Sequence, residues 1–578
     1  MELTPVQKDI VTAPLGACVV TAGAGSGKTR VLTHRIAYLI AEQNIADDCI
    51  LAMTFTNKAA GEMRRRVEEM TGGACRAYLG TFHSWCARFL RNNIGDPWTS
   101  NFTIYDKKDS DKVYKLVGEE NIVEYKRHLE NNNALDFDDL LEKTLEILTE
   151  NREVRERLQN QYKYILVDEF QDTNAVQYKI VRILASVHRN IMVVGDEDQC
   201  IYTWRGASAE NLNAFLRDFP TAKIYKLEQN FRSGGNIVAL ANKLVNHNIN
   251  RLDKTLFSEL PSGKIRYVSY YDEREEARMI AAQIISEHRQ HGTPFGKYAV
   301  LMRLNATSRN FEEQFRAFGV PHIIWGGFKF YERAEIKGAI NYLRLLVNPR
   351  DEIAYTGALT FPKRGIGDAA IDKIKRGEKL TAKAKTGFDE FNRIMDTLRG
   401  INDNFGLYDL AGSLISTIGL DAYLIENKDD GEDRLENLYQ LEQAMKSFAH
   451  ENDGATLNDY LQTVALVQDT DGESGDAVVI STIHSAKGLE FENVFIIALE
   501  EKVFPLERAV EKAGELEEER RLLYVGITRA MKNLYLSGVQ SRFFHGQRGW
   551  QSPSRFLYDC DLVKKAKGHG STSLYQWD

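Results

Sequence analysis

The sequence predicts an α/β protein made of two parallel-sheet cores, each interrupted by a mainly helical insertion. Three observations lead there. Short apolar and β-branched runs each pass through a turn into a helical pattern, as strands buried on both faces do. The runs fall into two clusters, residues 15–225 and 224–540. Within each cluster lies a long, charged, helix-rich stretch with few β-branched residues, at about 86–162 and about 350–474. A length of 578 residues agrees with four units at about 150 residues each.

In order, the predicted strands are Ala17–Thr21, Cys49–Thr54, Tyr164–Val167 and Ile191–Val194 in the first core. Tyr298–Met302, Ala477–Thr482 and Val494–Ala498 belong to the second. The domains then read as 1–85 with 163–226 for the first core and 86–162 for its insertion. The second core takes 227–349 with 475–560, its insertion 350–474, and a tail 561–578 remains. The acidic run Glu511–Arg521 reads as a solvated helix face.

Hydrophobic residues at 43% and charged residues at 27% exclude disordered, collagenous and coiled-coil classes. Six scattered cysteines without a C-x-x-C pair argue against a disulfide framework or a zinc site and fit a cytoplasmic protein. The N-terminus MELTPVQKDI lacks a secretory pattern, and no 18 apolar residues run together, so no membrane role is expected. A net charge of -8 speaks against bulk attraction to a polyanion. The charge is polarised, however: Thr54–Arg91 carries +4 and Glu500–Glu519 carries -5. Nucleic acid is therefore not excluded, and single-strand binding should owe more to stacking than to bulk electrostatics.

Chemistry enters with Ala22–Thr29, AGAGSGKT, between a predicted strand and a helical pattern. In such a loop glycines turn backbone N–H groups toward phosphate oxygens, and the helix N-terminus adds its dipole. Ala24, Gly25, Ser26, Gly27, Lys28, Thr29 and Arg30 are the candidate nucleotide contacts. Lys28 would reach the β/γ-phosphates, and the Thr29 hydroxyl would ligand Mg²⁺. The bland alternative is a glycine-rich turn. Next, YILVDEFQDTN delivers Asp168 and Glu169 at the C-terminal edge of a strand. Asp168 is placed to hold Mg²⁺ and Glu169 to orient and deprotonate water; alone, such a pair is as often a solvated loop. VVGDEDQCIYTWRGA then offers Gln199, an amide able to sense a γ-phosphate, followed by Tyr202, Trp204 and Arg205. Two aromatics and an arginine make either a base-stacking platform or core packing.

The ordered set AGAGSGKT, TFTNKAA, GTFHS, VDEFQDTN, GDEDQCIYTWRGA, LEQNFRS, STIHSAKGLEF and YVGITRA resembles the UvrD/Rep/PcrA-type superfamily 1A DNA helicases. That resemblance implies two RecA-like domains with insertions, 1A, 1B, 2A and 2B, in an ATP-driven motor moving 3′ to 5′ on single-stranded DNA. It implies that Gln7 reads adenine, that Phe231 stacks on it, and that Glu490 binds the ribose. Arg232 and Arg529 would be arginines that the second core contributes to the γ-phosphate. A guanidinium suits the charge spread over phosphoryl oxygens. For DNA the resemblance implies Phe55, Tyr202, Trp204, Arg205, His83, His484, Arg303 and Asn305. In FPKRGIGDAA, Gly365 and Gly367 resemble an element that contacts duplex backbone; a glycine turn between helices is the alternative. QSRFFHG departs from the family by placing His545 where relatives carry Phe or Tyr, so Phe543, Phe544 and His545 remain rival stacking rings. Both insertions look short for the family.

The expected protein is thus an ATP- and Mg²⁺-dependent 3′–5′ DNA translocase and helicase acting on single strands and single-/double-strand junctions, with unidentified repair or replication partners. Its rivals are a translocase that strips proteins but unwinds poorly, a P-loop ATPase switch on a protein partner, and an RNA helicase.

Overall fold

The computed structural model describes residues 2–118, 121–203, 210–249, 254–325, 331, 333–427, 431–452, 454–466, 475–544, 547–564 and 576–577. The chain forms two compact units, one of residues 1–81, 155–327 and 468–578, the other of residues 82–154 and 328–467. In chain order the strands are β1 (Ala17–Ala22), β2 (Ile50–Thr54), β3 (Tyr78–Thr81), β4 (Thr103–Ile104), β5 (Ala134–Leu135), β6 (Tyr164–Val167) and β7 (Ile191–Gly195). There follow β8 (Lys223–Leu227), β9 (Lys264–Asp272), β10 (Tyr298–Met302), β11 (His322–Trp325), β12 (Val478–Thr482), β13 (Phe491–Ile496) and β14 (Ala530–Phe544).

The first unit holds two sheets. One is parallel throughout, in the order β3-β2-β6-β7-β1-β8. Its inner strands are buried nearly end to end, which is why they read as unbroken apolar runs. Because β6, β7 and β1 are parallel neighbours, the loops that leave their C-terminal ends lie side by side. The other sheet runs β11-β12-β10-β13-β14-β9, also parallel, with Gln547–Trp550 pairing antiparallel on β14 and Gln576–Trp577 on β9. Helices cover both of its faces, giving one core around Ile265, Val494 and Leu534 and another around Ile284, Val300 and Phe495.

The second unit is mainly helical. β4 and β5 form a two-residue parallel pair beside the helices Lys107–Val117, Ile122–Asn131 and Phe137–Glu150. The helix Ala334–Val347, expected within the second core, belongs here instead. Its Ile336, Ala339, Tyr342 and Leu343 are buried in one cluster with Leu398, Leu410 and Leu441 of the later helices. The Asn348–Arg350 break, which looked like a boundary, is a turn inside the insertion. Among the described residues no helix is long and apolar enough to cross a membrane.

Candidate active site and nucleic-acid interface

Thr4 caps the helix Pro5–Val11 in a capping box with Gln7, which fixes the Gln7 side chain. Its amide Nε2 then donates to the Ser26 carbonyl at 3.2 Å, so Gln7 lies against the loop between β1 and the helix Lys28–Ala41. That loop needs its glycines: Gly25 and Gly27 sit at φ +67° and +85°, and a Cβ on Gly25 would meet Arg232 and Asn230 within 2.8 Å. Asn230 holds the opposite wall, donating to the Ala24 carbonyl at 2.7 Å and accepting from the Arg232 and Ser233 amides at 2.8 Å.

After β6, the Asp168 amide bonds the Met53 carbonyl and the Thr54 hydroxyl reaches its carboxylate at 3.5 Å. Glu169 follows at φ +50°, a conformation costly for a residue with a Cβ, and pairs with Lys28 at 3.3 Å. Gln171 ties this loop to the one after β7, donating to Glu169 and accepting from the Asp196 amide at 2.9 Å. Burial, then the Glu169 charge, push Asp168 above the ordinary carboxylate range. Burial works the same way on Glu169, but Lys28 and Lys487 outweigh it and hold Glu169 low. One carboxylate is thus compensated and its neighbour is not, which is the electrostatic condition for recruiting a cation. No cluster of three or more His, Cys, Asp or Glu side chains suited to a metal occurs among the described residues. Such an ion would draw few ligands from protein, as Mg²⁺ does at phosphate sites.

The second sheet's unit of chain closes the site. Arg529, 2% exposed, donates to the Val525 and Leu489 carbonyls, the Thr528 hydroxyl and Gln199 Oε1, the last at 3.3 Å. Burial, and then the adjacent Arg232, lower its pKa to about 9. A buried guanidinium held by neutral acceptors suits an incoming anion. Arg232 meets Glu490 at 2.6 Å, so the residue expected at the ribose is engaged by an arginine. Phe231 is 39% exposed, its amide on the Gly25 carbonyl at 2.9 Å.

Phe55, just past β2, stacks on Tyr202 with centroids 5.1 Å apart and planes 19° from parallel. The Tyr202 hydroxyl donates to the His484 carbonyl at 3.1 Å, and the His484 ring lies 6.3 Å away. Lys487 connects this platform to the acidic loops: Nζ is 2.5 Å from Asp172, 2.8 Å from the Gln199 carbonyl and 5.0 Å over the Tyr202 ring. Burial raises Asp172 to about 6 against the pull of Lys487.

A family model described as UvrD/REP helicase N-terminal domain matches residues 3–122 and 117–220, and one described as UvrD-like helicase C-terminal domain matches 225–541. The chain belongs to the UvrD/Rep helicase family. It is 38% identical to the ATP-dependent DNA helicase PcrA of Bacillus subtilis, over 97% of this chain and 86% of that protein. With PcrA of Staphylococcus epidermidis the identity is 36%, over 98% and 88%, and with that of Staphylococcus aureus 36%, over 95% and 85%.

The helicase motifs are not all found together. Arg303, expected along a DNA strand, instead grips Glu519 at 2.8–2.9 Å because Glu519 is buried and needs a cation. That limits a second expectation: of Glu511–Arg521, Glu511 and Lys512 are exposed and 515–518 half-buried, but Glu519, Arg520 and Arg521 are buried, so the run is a solvated face only in its first part. Asn305 is exposed in a short turn. His83 belongs to the second unit, edge-on to Phe137 at 5.3 Å. So do Gly365, at φ +76°, and Gly367, which caps the helix Asp368–Lys375. Trp204, Arg205 and His545 lie outside the described residues, as does the Phe544 side chain. The sequence reading passed over Gln171, Asp172 and Lys487, and over Asn230, although all four sit inside quoted motifs, and over Lys254, which lies in none. Polar residues in loops that follow buried parallel strands were the available signal for the first three.

Proposed function

We propose that the protein is an ATP-driven DNA helicase that tracks 3′ to 5′ along single-stranded DNA and separates duplex at single-/double-strand junctions. The observation that carries this is Lys487. One ammonium touches the acidic loop, the backbone of Gln199 and the face of Tyr202, so chemistry at the phosphates and grip on a base share a side chain.

Gln7 and Phe231 take the adenine, and Glu490 the ribose once Arg232 turns to phosphate. The backbone of Ala24–Arg30 cradles the phosphates, with Lys28 on the β/γ oxygens. Thr29 and Asp168 would hold Mg²⁺, which the raised Asp168 carboxyl favours; when bound, the ion offsets phosphate charge. Glu169, held ionised by Lys28 and Lys487, orients water and accepts its proton. Gln199, Arg232 and Arg529 stabilise the charge that spreads over the transferred group. Since Gln199 follows β7 of one sheet and Arg529 precedes β14 of the other, turnover depends on their approach, and that dependence drives movement. Phe55, Tyr202, Trp204 and Arg205 stack on bases without reading sequence. His83, His484, Asn305, Phe544 and His545 are the further single-strand contacts, and Gly365 and Gly367 the duplex ones. The domains are 1A, 1B, 2A and 2B, with 2B beginning near residue 328. Six free cysteines support a cytoplasmic setting, and protein partners come from repair or replication.

Unwinding of labelled duplexes with a 3′ or a 5′ tail tests this. ATP-dependent strand release from the 3′-tailed substrate alone is expected. Displacement of streptavidin from single strands without unwinding would leave only the translocase, and ATPase indifferent to DNA would overturn both.

A further inference from the structure

Residues 254–256 lie outside every motif, yet they bear on two loops of the site at once. Lys254 is 3% exposed, with Nζ 2.5 Å from Asp196, 2.9 Å from Glu197 and 3.0 Å from Asp198. Two residues on, Leu256 covers the phosphate loop so closely that a Cβ on Gly23 would stand 2.1 Å from its Cδ2. The segment is fastened to the helix Gly235–Val245, where the Asn242 amide bonds both the carbonyl and the amide of Leu256 at 2.7 and 3.2 Å.

Asp196 passes this contact on. It accepts from Gln199 Nε2 at 2.7 Å, and that bond turns Gln199 Oε1 toward Arg529. A primary amide has two nearly isosteric orientations, and its hydrogen-bond partners select between them: here Asp196 on the nitrogen side, at the shorter distance, and Arg529 on the oxygen side. We propose that Lys254 is a positioning residue for ATP hydrolysis, which fixes Asp196 and through it the orientation of the Gln199 amide toward Arg529 and the phosphate. The proposal rests on the roles given above to Gln199 and Arg529. Burial opposes the charge of Lys254, but Asp196, Asp198 and Glu197 together keep the ammonium protonated. It is thus a permanent three-way tie that fixes the turn Asp196–Gln199, whereas a surface lysine would be free to leave.

The test is the DNA-stimulated ATPase of the full chain. Lys254→Met should lower kcat about tenfold or more with KM for ATP changed less than about twofold, as expected of a misoriented group. Lys254→Arg should recover most of the rate. In a Gln199→Ala background, Lys254→Met should cost less than about twofold further, since both act through one amide. Equal factors in both backgrounds, an unchanged kcat, or an effect on KM alone would overturn the positioning role. If Gln199→Ala itself leaves kcat intact, the reading of Gln199 falls and takes the proposal with it. If Gln199→Ala impairs turnover and Lys254→Met does not, only Lys254 is dismissed. Because Lys254→Met strands three buried carboxylates, Lys254→Met/Asp198→Asn removes one of them with the cation and must show the same kinetics.

Discussion

Two buried charge clusters, one in each unit, resolve the same problem in opposite ways. In the first unit, burial and Glu169 leave Asp168 raised, and Arg529 is lowered to about 9 amid neutral acceptors. In the second, Arg344 lies 2.6 Å from Asp109 and 2.8 Å from Asp351, with Lys337 3.2 Å from Asp109. Burial there too acts to raise Asp109, yet Arg344 and Lys337 outweigh it and bring it down to about 2. The Tyr105 hydroxyl adds a bond to Asp351 at 3.2 Å. Every charge in the second cluster is matched, whereas the first leaves the Asp168 carboxyl and the Arg529 guanidinium hydrogen-bonded to neutral groups. Matched clusters hold elements together; unmatched ones wait for a ligand.

The largest expected consequence is at Arg529. Arg529→Ala should lower kcat for ATP by about 10³-fold or more while nucleotide still binds, as for an arginine that acts on the transition state. Rate and binding measured together decide it, and a kcat within tenfold of wild type would make the residue structural, like Arg344. Lys28→Ala should abolish hydrolysis as well, by removing both the phosphate contact and the counter-charge of Glu169.

The reverse is expected of the matched cluster. Arg344→Met strands Asp109 and Asp351, and breaking such a pair costs about 3–5 kcal/mol. The loss should appear as faster amide exchange in the helices Lys107–Val117 and Ala334–Val347, while basal kcat stays within about twofold of wild type. Unchanged exchange would mean that the cluster contributes nothing to stability.

The sequence made this difference only partly legible. Strands buried on both faces announce themselves, so β1, β2, β6, β7, β10 and β12 were read within two residues. β8 and β9 lie toward sheet margins, carry Lys223, Lys226 and Arg266, and show no apolar run. They were missed for that reason. The phosphate loop and the acidic pair were legible because their chemistry is local to a strand end. Lys254 and Asn230 were not, because they matter only through partners 58 and 206 residues away. The insertion boundary failed near residue 349 because a helix packed on another unit looks, in sequence, like one packed on its own.

A smaller effect separates the platform from the core. Phe55→Ala should weaken single-strand binding by about 1–3 kcal/mol if the ring meets a base as well as Tyr202. Fluorescence anisotropy with a labelled oligonucleotide measures it. An unaltered isotherm together with a lowered melting temperature would return the Phe55–Tyr202 pair to simple packing.

The last contrast is acid sensitivity. A carboxylate whose folded pKa is depressed contributes stability above its unfolded value, near 3.9, and loses it as pH falls through its folded value. For Asp109, down at about 2, that contribution is about 2 kcal/mol by linkage. Asp109→Asn should therefore open the helices Lys107–Val117 and Ala334–Val347 more readily than wild type at pH 7, with the gap narrowing as pH drops from about 5 toward 2. Asp168 is raised, so Asp168→Asn should if anything stabilise the β6 loop at pH 7, the sign expected where a charge is kept for a ligand. If the Asp109→Asn gap stays constant from pH 7 to pH 3, the variant acts through packing, and the second cluster is no more matched than the first.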